Sequence, residues 1–283
     1  MEKLRVSDGT EIAYYVDDFM EPWIKTEDKE TLLLYHGSCE AAEVFTSMVP
    51  LLARHYRVVR IDERGLGQSG MAPGTYTPST EVFVADLLAV VDHLGVDKFH
   101  LLAQSSGGLV CVPFALAYPQ RLKSLILCQT PYRMPPELIP LYSLDTESMS
   151  AAILKYGFRE WQRKVPGYRV FNLEKVDQVV VDWYADFRSR NPDEVNAART
   201  EWAFGVNLAD KIKDISVPTT LICGEGSYQT SPEAIRFVKE QNPAIEIRTL
   251  SGNLGQCIHV VMPDEIAESV LNYLKDQKKS VSD

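Results

Sequence analysis

The sequence predicts an α/β protein: a mostly parallel central sheet flanked by helices, with a helical cap inserted before the last two strands. Three observations predict it. Continuous apolar runs of strand length alternate with segments of helical spacing, and strands apolar on both faces belong to parallel sheets covered on both sides. The run Leu101-Leu-Ala-Gln-Ser-Ser-Gly-Gly108 passes from an apolar strand straight into a Gly-rich helix start. Between about Tyr132 and Asp214 the alternation stops, and the pattern is helical and rich in aromatic residues.

The elements follow in order. Glu11 to Val16 reads as an early antiparallel strand. Thr31 to Tyr35 reads as a buried strand ending at His36-Gly37-Ser38. Val44 to Ala53 has helical spacing, and Tyr56 to Ile61 is the next strand. Glu81 to Leu94 carries apolar residues at helical spacing, with Ser79 and Thr80 as a start signal and Gly95 as a stop. Phe99 to Leu102 enters the turn at Ser105, Ser106 to Tyr118 leaves it as a helix, and Pro113 should bend that helix. Leu122 to Cys128 is another apolar strand. After the helical stretch, Pro218 to Cys223 and Ile245 to Leu250 complete the sheet, each followed by a helix, at Pro232 to Gln241 and Pro263 to Leu274. This organisation divides the chain into an α/β core, 1–131 and 215–283, and a helical cap, 132–214.

A chain of 283 residues, 45% of them hydrophobic, can bury a large core. The net charge of −10 comes with no basic stripe, which argues against a nucleic-acid surface. Cys39, Cys111, Cys128, Cys223 and Cys257 are odd in number and show no C-x-x-C pairing, so a reducing compartment is expected. With no signal-like start and no run apolar enough to span a bilayer, a cytoplasmic protein without membrane association is expected. No metal-ligand cluster or phosphate loop appears, so neither metal nor cofactor is expected. The oligomeric state, monomer or homodimer, is left open.

The strand–turn–helix at Ser105 has the form of a nucleophile elbow, G-x-S-x-G, with Ala103 and Gly107 at the small-residue positions. Together with His36-Gly37-Ser38 and Asp62-Glu-Arg-Gly-Leu-Gly-Gln-Ser69, it resembles the motif order of the α/β-hydrolase superfamily. The likeness runs over nearly the whole chain and is to the capped, single-domain type that includes epoxide hydrolases, haloalkane dehalogenases, C–C bond hydrolases, lactonases and small esterases. It implies that Ser105 is the nucleophile and that the backbone N–H groups of Ser38 and Ser106 form an oxyanion hole. His36, Cys39, Gln104, Trp161, Trp183 and Cys257 are candidate substrate-binding residues.

The relay departs from that pattern. Where the resemblance implies a histidine the chain has Gln256, seven residues before Pro263, and where it implies an aspartate the chain has Ser227. The alternative acid position, near Gln129, is also uncharged. A glutamine cannot hold a proton near neutral pH. His259, with Glu225 as its acid, is the substitute base on offer. Three functions follow. The first is an enzyme acting on a small apolar or aromatic carbonyl compound with a Ser105–Ser227–Gln256 site, by lyase, cyclase, decarboxylase or other non-hydrolytic chemistry. The second is a catalytically inactive ligand-binding protein. The third is a conventional serine esterase, lactonase or C–C hydrolase with a relocated base.

Overall fold

The computed structural model describes residues 1–71, 76–134, 136–165, 171–227 and 230–282. Tyr168, one of the aromatics of the helical stretch, lies outside the described residues. Eight strands form one sheet: β1 (Glu2–Arg5), β2 (Glu11–Asp17), β3 (Thr31–Tyr35), β4 (Arg57–Ile61), β5 (Phe99–Gln104), β6 (Leu122–Cys128), β7 (Thr219–Gly224) and β8 (Glu246–Leu250). Their spatial order is β1-β2-β4-β3-β5-β6-β7-β8. β1 and β2 are antiparallel, as is the pairing of β2 with β4, and every pairing from β4 onward is parallel. Strands β3 and β5 are buried along their whole length, as expected of parallel strands covered on both faces.

The helices of the first half are α1 (Val49–Leu52), α2 (Thr80–His93) and α3 (Gly108–Ala117). Five more, α4 (Ile139–Ser143), α5 (Met149–Tyr156), α6 (Phe158–Lys164), α7 (Gln178–Arg188) and α8 (Asp193–Gly205), lie between β6 and β7. The chain closes with α9 (Pro232–Gln241), α10 (Ile258–Val261) and α11 (Pro263–Ser282). The α2 start is capped as its sequence requires: Ser79 Oγ accepts from the Val82 N–H, and Gly95 ends it at φ +64°. The helix expected over Val44–Ala53 is instead a 3₁₀ turn at Ala42–Phe45 followed by α1. Pro50 has no N–H with which to join the two. β1 and the short α10 were not expected from the sequence.

Apolar side chains cover the sheet on both faces. One cluster joins α2 and α3 to the strands through Phe83, Leu87, Phe99, Leu109 and Phe114. The other joins α1, α10 and α11 through Leu52, Ile258, Ile266 and Tyr273, and takes in Tyr184 and Phe187 from α7. The inserted helices have a small core of their own, built on Tyr142, Met149, Ile153, Phe158 and Trp161, into which Cys39 projects. An isolated bridge between Arg133 and Asn207 ties the two ends of the insertion together.

The loop after β4 is scaffold. Asp62 accepts from the backbone N–H groups of Ala42 (2.6 Å) and Gln68 (2.8 Å). Ser69 Oγ bridges the Asp62 carbonyl and the Ala13 N–H. Arg64 forms a two-pronged ion pair with Asp86 at 2.6 and 2.7 Å. Among the described residues no helix is long and apolar enough to cross a membrane.

Candidate active site

The C-terminal ends of β3, β5, β6 and β7 bring the site together. Ser105 follows β5 directly and sits at φ +47°, in the left-handed region. A non-glycine residue held there costs ~1–3 kcal/mol and persists only where its surroundings enforce it. The enforcement is visible at Gly107, where a Cβ would lie 2.5 Å from the His36 carbonyl oxygen. The chain can make the turn only because this residue has no side chain. The hydroxyl-bearing residue is thereby set on the floor of a cavity of about 80 Å³, whose walls include Ser38, Glu40, Ser106, Trp161, Tyr184, Arg188, Gln256 and Cys257.

Ser38 and Ser106 are in contact. The Ser38 N–H donates to Ser106 Oγ at 2.8 Å, and the two side-chain oxygens are 2.7 Å apart. The Ser38 N–H is therefore occupied by the Ser106 hydroxyl.

Gln256 and Ser227 meet as well. The Ser227 hydroxyl donates to Gln256 Oε1, while Gln256 Nε2 donates to the Gln129 carbonyl at 3.0 Å. Gln129, at φ +52°, accepts at Oε1 from the Gly224 N–H (3.0 Å) and from Thr230 Oγ1 (2.7 Å). Its Nε2 donates to the carbonyls of Gly255 and Gln256, both at 3.3 Å. These three positions form a network of amides and hydroxyls with no titratable member.

The remaining candidates divide. Trp161 and Cys257 line the cavity. Burial first, and the nearby Glu40 charge second, push the Cys257 thiol up to about 12, so it stays protonated. His36 lies beneath, with Nδ1 2.7 Å from the Gly37 carbonyl and Nε2 accepting from the Glu63 N–H. Cys39 is turned into the core of the inserted helices, against Asn196 and Thr200. Trp183 is exposed, stacked on Phe187 beside an outer groove, because its position on α7 faces away from the cavity that Tyr184 and Arg188 line.

His259 is buried behind the wall, its Nδ1 3.1 Å from Gln104 Nε2. Its carboxylate neighbour is Glu40, not Glu225. His259 Nε2 is 3.3 Å from Glu40 Oε1, out of hydrogen-bond alignment. Glu225 is exposed and accepts from the Gly252 N–H instead. Glu40 also accepts from the Gly37 N–H (2.9 Å) and from the Tyr184 hydroxyl. Burial would raise its carboxyl, but His259, the Tyr184 hydrogen bond and Arg188 outweigh it and hold it at about 2. Arg188 reaches the cavity with Nη2 donating to the Ser38 carbonyl and its guanidinium over the Phe158 and Tyr184 rings.

Residues 30–165 match the alpha/beta hydrolase fold family. The enol-lactonase of Burkholderia xenovorans LB400 superposes with a TM-score of 0.82 at 23% identity, over 97% of this chain and 100% of that one. The chain has the α/β-hydrolase fold. A 2-hydroxy-6-oxononadienedioate/2-hydroxy-6-oxononatrienedioate hydrolase of Klebsiella pneumoniae is 35% identical over 105 residues, 36% of each chain. The match thus spans about a third of that relative's length. The uncharacterized hydrolase YugF of Bacillus subtilis is 22% identical over 95% of this chain and 96% of its own. Glu40 and Arg188 are among the cavity residues that sequence reasoning missed. Glu40 stands three residues past Gly37 with no motif to mark it, and Arg188 lies in the inserted helices, whose pattern reports only packing.

Proposed function

We propose that this α/β-hydrolase-fold protein is an enzyme for a small, largely apolar carbonyl compound, and that it hydrolyses an acyl or carbon–carbon bond beside that carbonyl. The observation that carries the reading is Ser105, held left-handed at the floor of a cavity beside the backbone of Ser38 and Ser106. A relative named as a 2-hydroxy-6-oxononadienedioate/2-hydroxy-6-oxononatrienedioate hydrolase and a structural neighbour named as an enol-lactonase support a hydrolytic reading. In the proposed reaction Ser105 Oγ attacks the carbonyl carbon. The carbonyl oxygen, as it gains charge, takes the N–H donors of Ser38 and Ser106 and displaces the Ser106 hydroxyl, and each such donor contributes a few kcal/mol to the transition state. Gln256, braced by Ser227 and Gln129, presents a fixed amide to the substrate. The inserted helices, 132–214, act as the cap, with Trp161 and Tyr184 supplying the apolar wall.

A second reading, non-hydrolytic chemistry or binding alone, is favoured by the neutral Gln256–Ser227 pair, which gives Ser105 no imidazole. A panel of short p-nitrophenyl esters and aryl lactones separates the two. Turnover by the native chain, falling at least ~1,000-fold in Ser105→Ala, is the expected result. No turnover, no labelling of Ser105 by a fluorophosphonate, and calorimetric binding of the same compounds would establish the second reading.

A further inference from the structure

The three relay positions hold no titratable group, yet a hydrolysis through Ser105 must send its proton somewhere. Among the described residues lining the cavity, Glu40 is the one carboxylate. A Cβ placed on Gly37 would lie 3.1 Å from Glu40 Oε2 and 3.3 Å from Ser105 Cβ. The carboxylate oxygen and Ser105 Cβ are therefore no more than about 6.4 Å apart (3.1 + 3.3), which sets the two side chains in the same part of the cavity. Glu40 comes from the loop after β3, and the groups facing it come from three other places. Tyr184 and Arg188 face it from α7, His259 from α10, and Cys257 from the residue just before α10.

We infer that Glu40, backed by His259, is the proton acceptor for Ser105 in this protein. The inference rests on the hydrolytic reading above. In the step proposed, the Ser105 O–H proton passes to a Glu40 carboxylate oxygen as Oγ bonds to the substrate carbonyl carbon. The tetrahedral adduct then collapses, the bond to the leaving group breaks, and the leaving group takes the proton back from Glu40. Water repeats the cycle on the acyl-serine, giving its proton to Glu40 and its oxygen to the acid product, while Ser105 Oγ recovers a proton. His259 does not touch the reacting atoms. It is a positioning residue, whose Nε2 lies 3.3 Å from the Glu40 carboxylate and whose Nδ1 meets Gln104, the residue preceding Ser105. A carboxylate held this low accepts a proton less readily than an imidazole, so slow turnover is expected.

The test uses p-nitrophenyl acetate with the full chain and Glu40→Gln, Glu40→Asp and His259→Asn. Glu40→Gln should lower kcat about 100-fold with KM within about threefold, and Glu40→Asp should recover part of it. The native profile of kcat/KM should be flat down to acid pH. In His259→Asn, without the neighbour that does most to hold its carboxyl down, Glu40 should protonate more easily and an acid limb should rise into the range above about pH 4. A merely structural Glu40 would not move that limb, and the limb decides the matter if Glu40→Gln fails to fold. Native-like kcat/KM in Glu40→Gln, or superposed pH profiles of native and His259→Asn, would overturn the assignment and leave the hydrolytic reading standing. An inert native chain with unlabelled Ser105 would remove both.

Discussion

At the scale of single residues, the chemistry of the site turns on what a side chain can do with a proton. Gln256 and Ser227 make a hydrogen-bonded contact that carries no charge. Replacing both, Gln256→His with Ser227→Asp, should raise hydrolysis of p-nitrophenyl acetate at least ~10-fold over the native chain at pH 8, because the introduced imidazole can take the Ser105 proton. Steady-state kinetics checks it, and Gln256→His alone should gain less. That Ser105, Ser227 and Gln256 each follow a strand was legible in the sequence, because the residue patterns of those strands are recognisable. Glu40 was not. Whether a carboxylate in His-Gly-Ser-Cys-Glu turns inward is decided by Tyr184, 144 residues further on, and by His259. The same limit misassigned Glu225 as the partner of His259 and placed Trp183 in the cavity.

At the scale of elements, the strands could be read because full burial demands uninterrupted apolar runs. β1 and α10 could not, since four-residue elements carry too little periodicity to read. Close approach between elements leaves its own mark. A Cβ on Gly108, the first residue of α3, would overlap the Thr130 side chain beyond the end of β6. Gly108→Ala should lower stability by ~1–3 kcal/mol in urea unfolding. Strand β5 also carries a pH dependence. Burial, only partly offset by Glu30, pushes the His100 imidazole down from 6.5 to about 4, and its Nδ1 lies 2.8 Å from Ser124 Oγ. Between those values the unfolded chain binds a proton that the folded chain refuses. Stability from this group is therefore full above about pH 6.5 and declines as pH falls toward 4. The drop in Tm from pH 7.5 to pH 5 should be smaller in His100→Gln than in the native chain.

At the scale of the whole molecule, the inserted helices are joined to the sheet by a buried ion pair. Arg199 of α8 grips Glu63, just after β4, with Nε at 2.5 Å and Nη2 at 3.0 Å, and its guanidinium lies 4.2 Å over the Trp202 ring. Arg199→Met should cost ~3–5 kcal/mol by stranding the Glu63 charge, and adding Glu63→Gln should restore part of it, both read by urea unfolding. By itself the sequence determined the class of fold, the place of the helical insertion, and which residues follow each strand end, because hydrophobic period and turn chemistry are local properties of a chain. Only the tertiary structure decided what stands across from Ser105. The carboxylate of Glu40, the guanidinium of Arg188 and the amide of Gln256 come from distant segments. Their burial, pairing and charge exist only where the packed sheet and the inserted helices bring those segments to one cavity.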